Sequence, residues 1–191
     1  MTATPTEHAL RVTVPLFNTS IEGAGTVPDA IDLGRGARIV QLHGREKTRI
    51  CDYWGLDPRD NYLNWRLEVH NLTQDDLEAR AREVLDQMTL VVRAPAQWRS
   101  FALDRYEDGV WIRRGASWAS YEVQMKLTFI PLERLETLQA LRQNMPEVID
   151  EQTRLAMSFY AESVRELWAS DRQKALVLAA IALECLSCIS A

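Results

Sequence analysis

Apolar residues recur along this chain with two different periods, and the period changes near residue 131. Leu10, Val12, Val14 and Leu16 alternate with Arg11, Thr13 and Pro15, the period of a half-buried strand, and Pro15 predicts a place at a sheet edge. Residues 18–36 are rich in Asn, Gly, Pro and Asp and read as loop and turn, with a short apolar touch at Ile31 and Leu33. Residues 37–42 predict a second short strand, and residues 44–54 fit a short helix ending near Gly55. Leu63, Trp65, Leu67 and Val69 alternate with Asn64, Arg66, Glu68 and His70, an amphipathic strand with His70 on the solvated side. Thr73 opens a helix, with Asp76 three residues on and Asp75 and Glu78 at the positive end of its dipole. Leu77, Ala81, Val84, Leu85, Met88, Val91 and Val92 then fall at three-and-four spacing until Pro95 stops it. Glu107-Asp108-Gly109 between apolar runs at 101–106 and 110–114 predicts a hairpin. Tyr121, Val123, Met125, Leu127 and Phe129 alternate up to Pro131, which places Trp65, Leu67, Met125 and Leu127 in one core with the helix at 73–93.

After Pro131 the period is helical. Residues 132–143 form a short helix. Pro146 stands in the first turn of a longer one over 147–169, buried along Val148, Leu155, Phe159, Tyr160, Val164, Leu167 and Trp168. Ser170 is placed to cap a final helix that is apolar on all sides from 175 to 189, with Glu184 its one charge. A helix apolar all round is buried on most of its surface, so it is expected at the centre of a helical core. Residues 175–191 fall short of the roughly 20 apolar residues of a membrane span. A carboxylate near the middle costs about 2.5–3.5 kcal/mol there, so a membrane-associated protein using helix 175–191 is the lesser alternative. Glu184 is expected as a buried polar group, either meeting Arg154, Arg165 or Arg172 at a rim or serving a groove. Only two helices precede this one to cover it. One side is expected to stay bare, and Leu176, Leu183 and Leu186 are the interface candidates for a second copy or another protein.

Composition sharpens this picture little. The 191 residues are 47% hydrophobic and 26% charged, with net charge −5, which suits a globular protein without a broad basic surface for nucleic acid. Five of the six tryptophans precede residue 131. The expected fold is α+β: a β-rich mixed domain over 1–130, then an incomplete helical bundle over 131–191. The start lacks a secretory signal, and Cys51, Cys185 and Cys188 make no disulfide framework, so a cytoplasmic location is expected. Cys185 and Cys188 form a C-x-x-C in a last helical turn, without the further ligands that zinc needs, and read as packing residues. His8, His43 and His70 form no ligand cluster in sequence, and Gly34-Arg35-Gly36 is a turn without the rest of a nucleotide fingerprint. Asp75/Asp76 and Asp150/Glu151 read as helix-start charges. No catalytic residue, metal ligand or cofactor site is expected.

The stretch VPLFNTSIEGAGTVPDAIDLGRGARIVQLHGREKTRI resembles the amino-terminal entry of ApeA-like HEPN proteins, with their Leu-Gly-x-Gly-x-x-Ile phrase at residues 33–39. The segment EQTRLAMSFYAESVRELWASDRQKALVLAAIALECL resembles the first long HEPN helices, with their Ala-Leu-Glu-x-Leu phrase at Ala182, Leu183, Glu184, Cys185 and Leu186. The resemblance implies a helical domain associated with nucleotides or RNA, often dimeric, and in many members a metal-independent ribonuclease of defence or toxin systems. Their signature is Arg, four to six residues, then His, in a later helix. No His follows His70 here, and Arg38 and His43 match the spacing only in a predicted strand, where five residues span about 16 Å. The expected role is a sensing and interaction module of a HEPN-type protein, with RNA as an admissible partner. The alternative is a fragment of a ribonuclease whose active site lies beyond residue 191. Labelled single-stranded RNA incubated with the purified chain, without metal, should therefore stay intact. Cleavage that a point mutation in this chain abolishes would contradict the expectation.

Overall fold

The computed structural model describes residues 9–54, 57–59, 63–70, 77–98, 100–118, 127–146 and 149–187. The period-two segments pair into one six-stranded antiparallel sheet: β1 (Leu10–Phe17), β3 (Ala30–Gly34), β4 (Ala37–Gln41), β5 (Leu63–His70), β6 (Ser100–Glu107) and β7 (Val110–Trp118), in the order β3-β4-β5-β1-β6-β7. A separate parallel pair joins β2 (Thr19–Glu22) to β8 (Thr128–Pro131). Helix α1 (Gly44–Trp54) follows β4, α2 (Leu77–Val92) follows β5, and α3 (Leu132–Asn144), α4 (Glu151–Trp168) and α5 (Arg172–Ser187) close the chain. The architecture is α+β, as the change of period predicts. No described helix is long and apolar enough to cross a membrane.

β1 is an interior strand, not the edge that Pro15 predicts. Its rungs to β6 end at Thr13, whereas its rungs to β5 continue through Pro15. The proline therefore stands where the strand is paired on one side only, which a residue without an N–H tolerates. Two hairpins turn on two residues each. Arg35 and Gly36 have φ of 51° and 71°, and Asp108 and Gly109 have 49° and 80°. Positive φ at both centres matches the right-handed twist of the strands that they join.

One face of the sheet carries the main core. Val12, Val14 and Leu16 of β1, Leu33 and Ile39 of β3 and β4, and Trp65, Leu67 and Val69 of β5 pack against Ala81, Val84, Leu85 and Met88 of α2. Leu135 and Leu138 of α3 belong to the same core, so apolar packing runs across the expected boundary at Pro131. β8 leads straight into α3 and fastens it to the sheet side of the molecule. α1 lies over the opposite face, where Ile50 and Cys51 close a small cluster with Phe17, Leu42 and Leu63.

The expected faces hold for Trp65 and Leu67, both buried, and fail for Leu127, which is 40% exposed. In β8 it is Thr128 and Ile130 that point inward, and Phe129 joins Leu127 outside. The parallel partner decides this: Ile130 sits opposite Ile21 of β2, and that pair enters the main core together. A period-two run has two faces, and its own sequence does not say which one a partner covers. Met125 and the helix-opening Thr73, Asp75 and Asp76 lie outside the described residues. Ile130→Ala and Leu85→Ala should each lower unfolding free energy by about 2–5 kcal/mol. Leu127→Ala should change it by roughly 0.5 kcal/mol or less in urea denaturation.

Candidate functional site

α4 and α5 form a helical hairpin whose two turns are fixed by side chains and backbone together. Asp150 caps α4, its carboxylate accepting from the Thr153 backbone N–H at 2.8 Å and from the Thr153 hydroxyl at 2.6 Å. At the other end, Ser170 N–H donates to Leu167 O and Asp171 N–H donates to Glu166 O, while Ser170 takes a φ of 73°. Those two bonds and the left-handed residue between them are a Schellman ending. Ser170 therefore closes α4, and it is Asp171, not Ser170, that caps α5 by accepting from Lys174 N–H at 3.0 Å. With only residues 169–171 between them, the two helices return antiparallel. Ala156, Met157 and Ala161 of α4 are buried, as are Ala175 and Ala182 of α5. Arg165 ties α4 to α2 through a 2.9 Å pair with Asp86. Burial pushes the Asp86 carboxyl up, against the pull of Arg165.

The expectation that α5 is a central, covered helix is not met within one chain. Leu176 is 72% exposed, Leu183 68% and Leu186 46%, with Val177 exposed beside them. The physical reason is that α4 flanks α5 on one side, burying little beyond the alanines. For the same reason Glu184 is an exposed carboxylate rather than the buried one expected. Arg165 is already engaged by Asp86 and Glu162, and among the described residues no cation comes within 4 Å of Glu184. Cys185 is half-buried, and its C-x-x-C partner Cys188 lies outside the described residues.

A second constellation, unannounced by the sequence, fills the face of the sheet opposite the core. The register brings Arg38 of β4 and Thr13 of β1 to either side of Glu68, and Asp104 of β6 between Arg11 and Arg113. Glu68 is fully buried. Its two oxygens take Arg11 Nη1 at 3.1 Å, Arg38 Nε at 2.7 Å and an Arg66 Nη2 contact, with His70 Nε2 3.1 Å from Oε2. Arg66 also binds Glu46 of α1, and Arg11 reaches Asp104 at 3.1 Å while lying under the Trp111 ring. Burial raises the Glu68 carboxyl, but the His70 hydrogen bond and the charges of Arg66, Arg11 and Arg38 outweigh it and hold the group well below the carboxylate range. His70 is thus a partner of Glu68 set edge-on to Trp111, not the solvated residue that alternation suggests. Arg38 is committed to Glu68 while His43 lies 3.6 Å from Asp29, so the two residues with ribonuclease-like spacing serve different partners. His8 lies outside the described residues. Among the described residues no group of His, Cys, Asp or Glu could hold a metal ion.

No family model matches the chain, and comparison with curated proteins and solved structures found no match.

Glu68→Gln should destabilise the fold by about 3–5 kcal/mol, because it leaves buried guanidinium groups uncompensated. The pH dependence has a fixed sign. A carboxyl whose pKa is depressed on folding contributes stability above its unfolded pKa and loses it as pH falls through the folded one. The stability gap between the wild type and Glu68→Gln should be constant at neutral pH and narrow below about pH 4.5, as read by urea denaturation across pH.

Proposed function

We propose that this chain is a non-catalytic interaction module of a HEPN-type defence or toxin protein, and that it assembles with a second copy of itself through α5. The observation that carries this is the bare apolar face of that helix, Leu176, Val177 and Leu183, next to a hairpin that is already fully turned and capped; Leu186, also exposed, lies on the flank nearer the buried Ala175 and Ala182. Contiguous apolar surface of this kind on a globular protein marks an interface.

The pattern along α5 favours its own copy as the occupant. Its exposed stripe is Gln173, Leu176, Val177, Ala180, Leu183, Glu184 and Ser187, and these positions are symmetric about Ala180. A twofold axis there would set Leu176 and Val177 of one protomer beside Leu183 and Glu184 of its partner, with the small Ala180 at the crossing. An antiparallel pair would also bring Arg172 within about one helical turn of the partner's Glu184, a carboxylate without a cation within 4 Å among the described residues. Two hairpins joined in this way make a four-helix bundle that covers α5 on two sides, and a closed twofold interface needs no other partner.

Sedimentation equilibrium at micromolar concentration should find a dimer. Leu176→Glu with Leu183→Glu should return it to a monomer with unchanged circular dichroism, because both side chains are exposed in the single chain. Arg172→Glu and Glu184→Arg should each weaken the dimer and together restore it. A wild-type chain that stays monomeric and binds no apolar dye would contradict self-assembly.

A further inference from the structure

The turn at Gly34-Arg35-Gly36, a motif with no nucleotide fingerprint around it, forms one wall of a cavity of about 520 Å³ at the end of the sheet. The other walls are Val69 and His70 at the end of β5, Arg80, Glu83, Val84 and Gln87 along one face of α2, and Arg142 with Met145 at the end of α3. Arg142 is only 6% exposed. Its Nε donates to Leu33 O at 3.1 Å, Nη2 to Gly34 O at 3.4 Å and Nη1 to the buried Gln87 side-chain oxygen. Those contacts take three of its five N–H donors and supply no negative charge. Among the described residues no carboxylate lies within 4 Å of it. Buried guanidinium groups in proteins are paired with an anion as a rule, because the desolvation cost is otherwise uncompensated.

The rest of the cavity does not supply that anion. Arg35 stands at its mouth, held to Pro146 O at 2.8 Å and to Met145 O. Arg80 lines it from α2. The one carboxylate of the lining, Glu83, is shared between Arg80 at 3.4 Å and Gln87 Nε2 at 3.1 Å. Three guanidinium groups against one carboxylate leave the lining at +2, in a chain whose net charge is −5. Burial lowers the pKa of Arg142; Glu83 raises it, and facing Arg35 and Arg80 lower it again. The polar face of the sheet is different in kind: there Glu68, Asp104 and Glu46 answer the arginines from within the protein.

We propose that the cavity between the 34–36 turn, α2 and α3 binds a small dianion, a phosphate monoester or a dicarboxylate, between Arg35, Arg80 and Arg142. The planar guanidinium fork binds both groups in bidentate fashion, and a double negative charge matches the surplus of the lining. The partly exposed Met145 supplies apolar surface for the carbon part of such a molecule.

The test is isothermal titration at low ionic strength with three probes: inorganic phosphate, a sugar monophosphate and succinate. The wild type should bind at least one of them, more weakly as salt is raised. Arg35→Gln and Arg80→Gln should each reduce affinity about tenfold or more, the scale of one charge-assisted hydrogen bond. Both side chains are partly or well exposed, so the fold should be retained. Glu83→Gln should act in the opposite sense and tighten binding severalfold, which a merely structural residue would not do. Binding of phosphate probes alone, or of succinate alone, assigns the class within the dianions. A wild type that binds none of the three at millimolar concentration overturns the proposal, as does binding unaffected by Arg35→Gln and Arg80→Gln.

Discussion

One buried carboxylate sets the conditions for the sheet. Glu68 stands in β5 with no exposure to solvent, and its charge is tolerated only while cations from the neighbouring strands β1 and β4 reach it together with its own strand's Arg66 and His70. A slip of one residue in either neighbouring strand would turn Arg11 or Arg38 to the apolar side and leave the carboxylate uncompensated. Asp104 extends the same constraint to β6 and β7 through Arg11 and Arg113. Apolar packing on the other face rewards many registers that keep a hydrophobic surface; the ionic face rewards one. Whether such networks add net stability over an apolar replacement is a separate matter from the specificity that they impose.

How much of this could be seen in the sequence depends on what each residue must touch. β5, the hairpin at Asp108-Gly109 and the three closing helices were legible because local period and turn chemistry define them. β2 and β3 were not, since four or five residues among Gly, Pro and Asp carry too few alternations to stand out. Leu127 and Ile130 exchanged faces because the choice belongs to β2, more than a hundred positions away. Arg66, Glu68 and Arg11 read as a solvated face and are buried because α1, Trp111 and the neighbouring strands cover it. Arg142 gave no signal: in sequence it is one polar residue between Leu141 and Gln143, and its significance comes from Leu33 and Gly34 lying above it.

The two parts of the helical region obey different rules. α3 is a component of the sheet's own core, whereas α4 and α5 stand on it through fewer ties, Arg165 with Asp86 foremost. The change of hydrophobic period at Pro131 thus marks where strands stop, and the change in packing comes one helix later. Glu184 was expected inside for belonging to an apolar helix, and the structure finds it outside; Leu183, expected on the bare side, is exposed as well, because a helix can be rich in leucine and still have only one neighbour.

The two tight hairpins share a backbone conformation and differ in what surrounds them. A side chain at Gly109 would meet nothing, whereas a Cβ at Gly34, just before the Arg35-Gly36 turn, would come into ordinary van der Waals contact with Gln143 and Gln139 of α3. The first turn projects into solvent and the second borders α3 and the basic cavity. In evolutionary terms the chain is free to lengthen at 108–109, where an inserted residue displaces only water. At 34–37 its length is frozen: an extra residue there would move Arg35, lift two carbonyls off Arg142 and push α3 from the sheet in a single event.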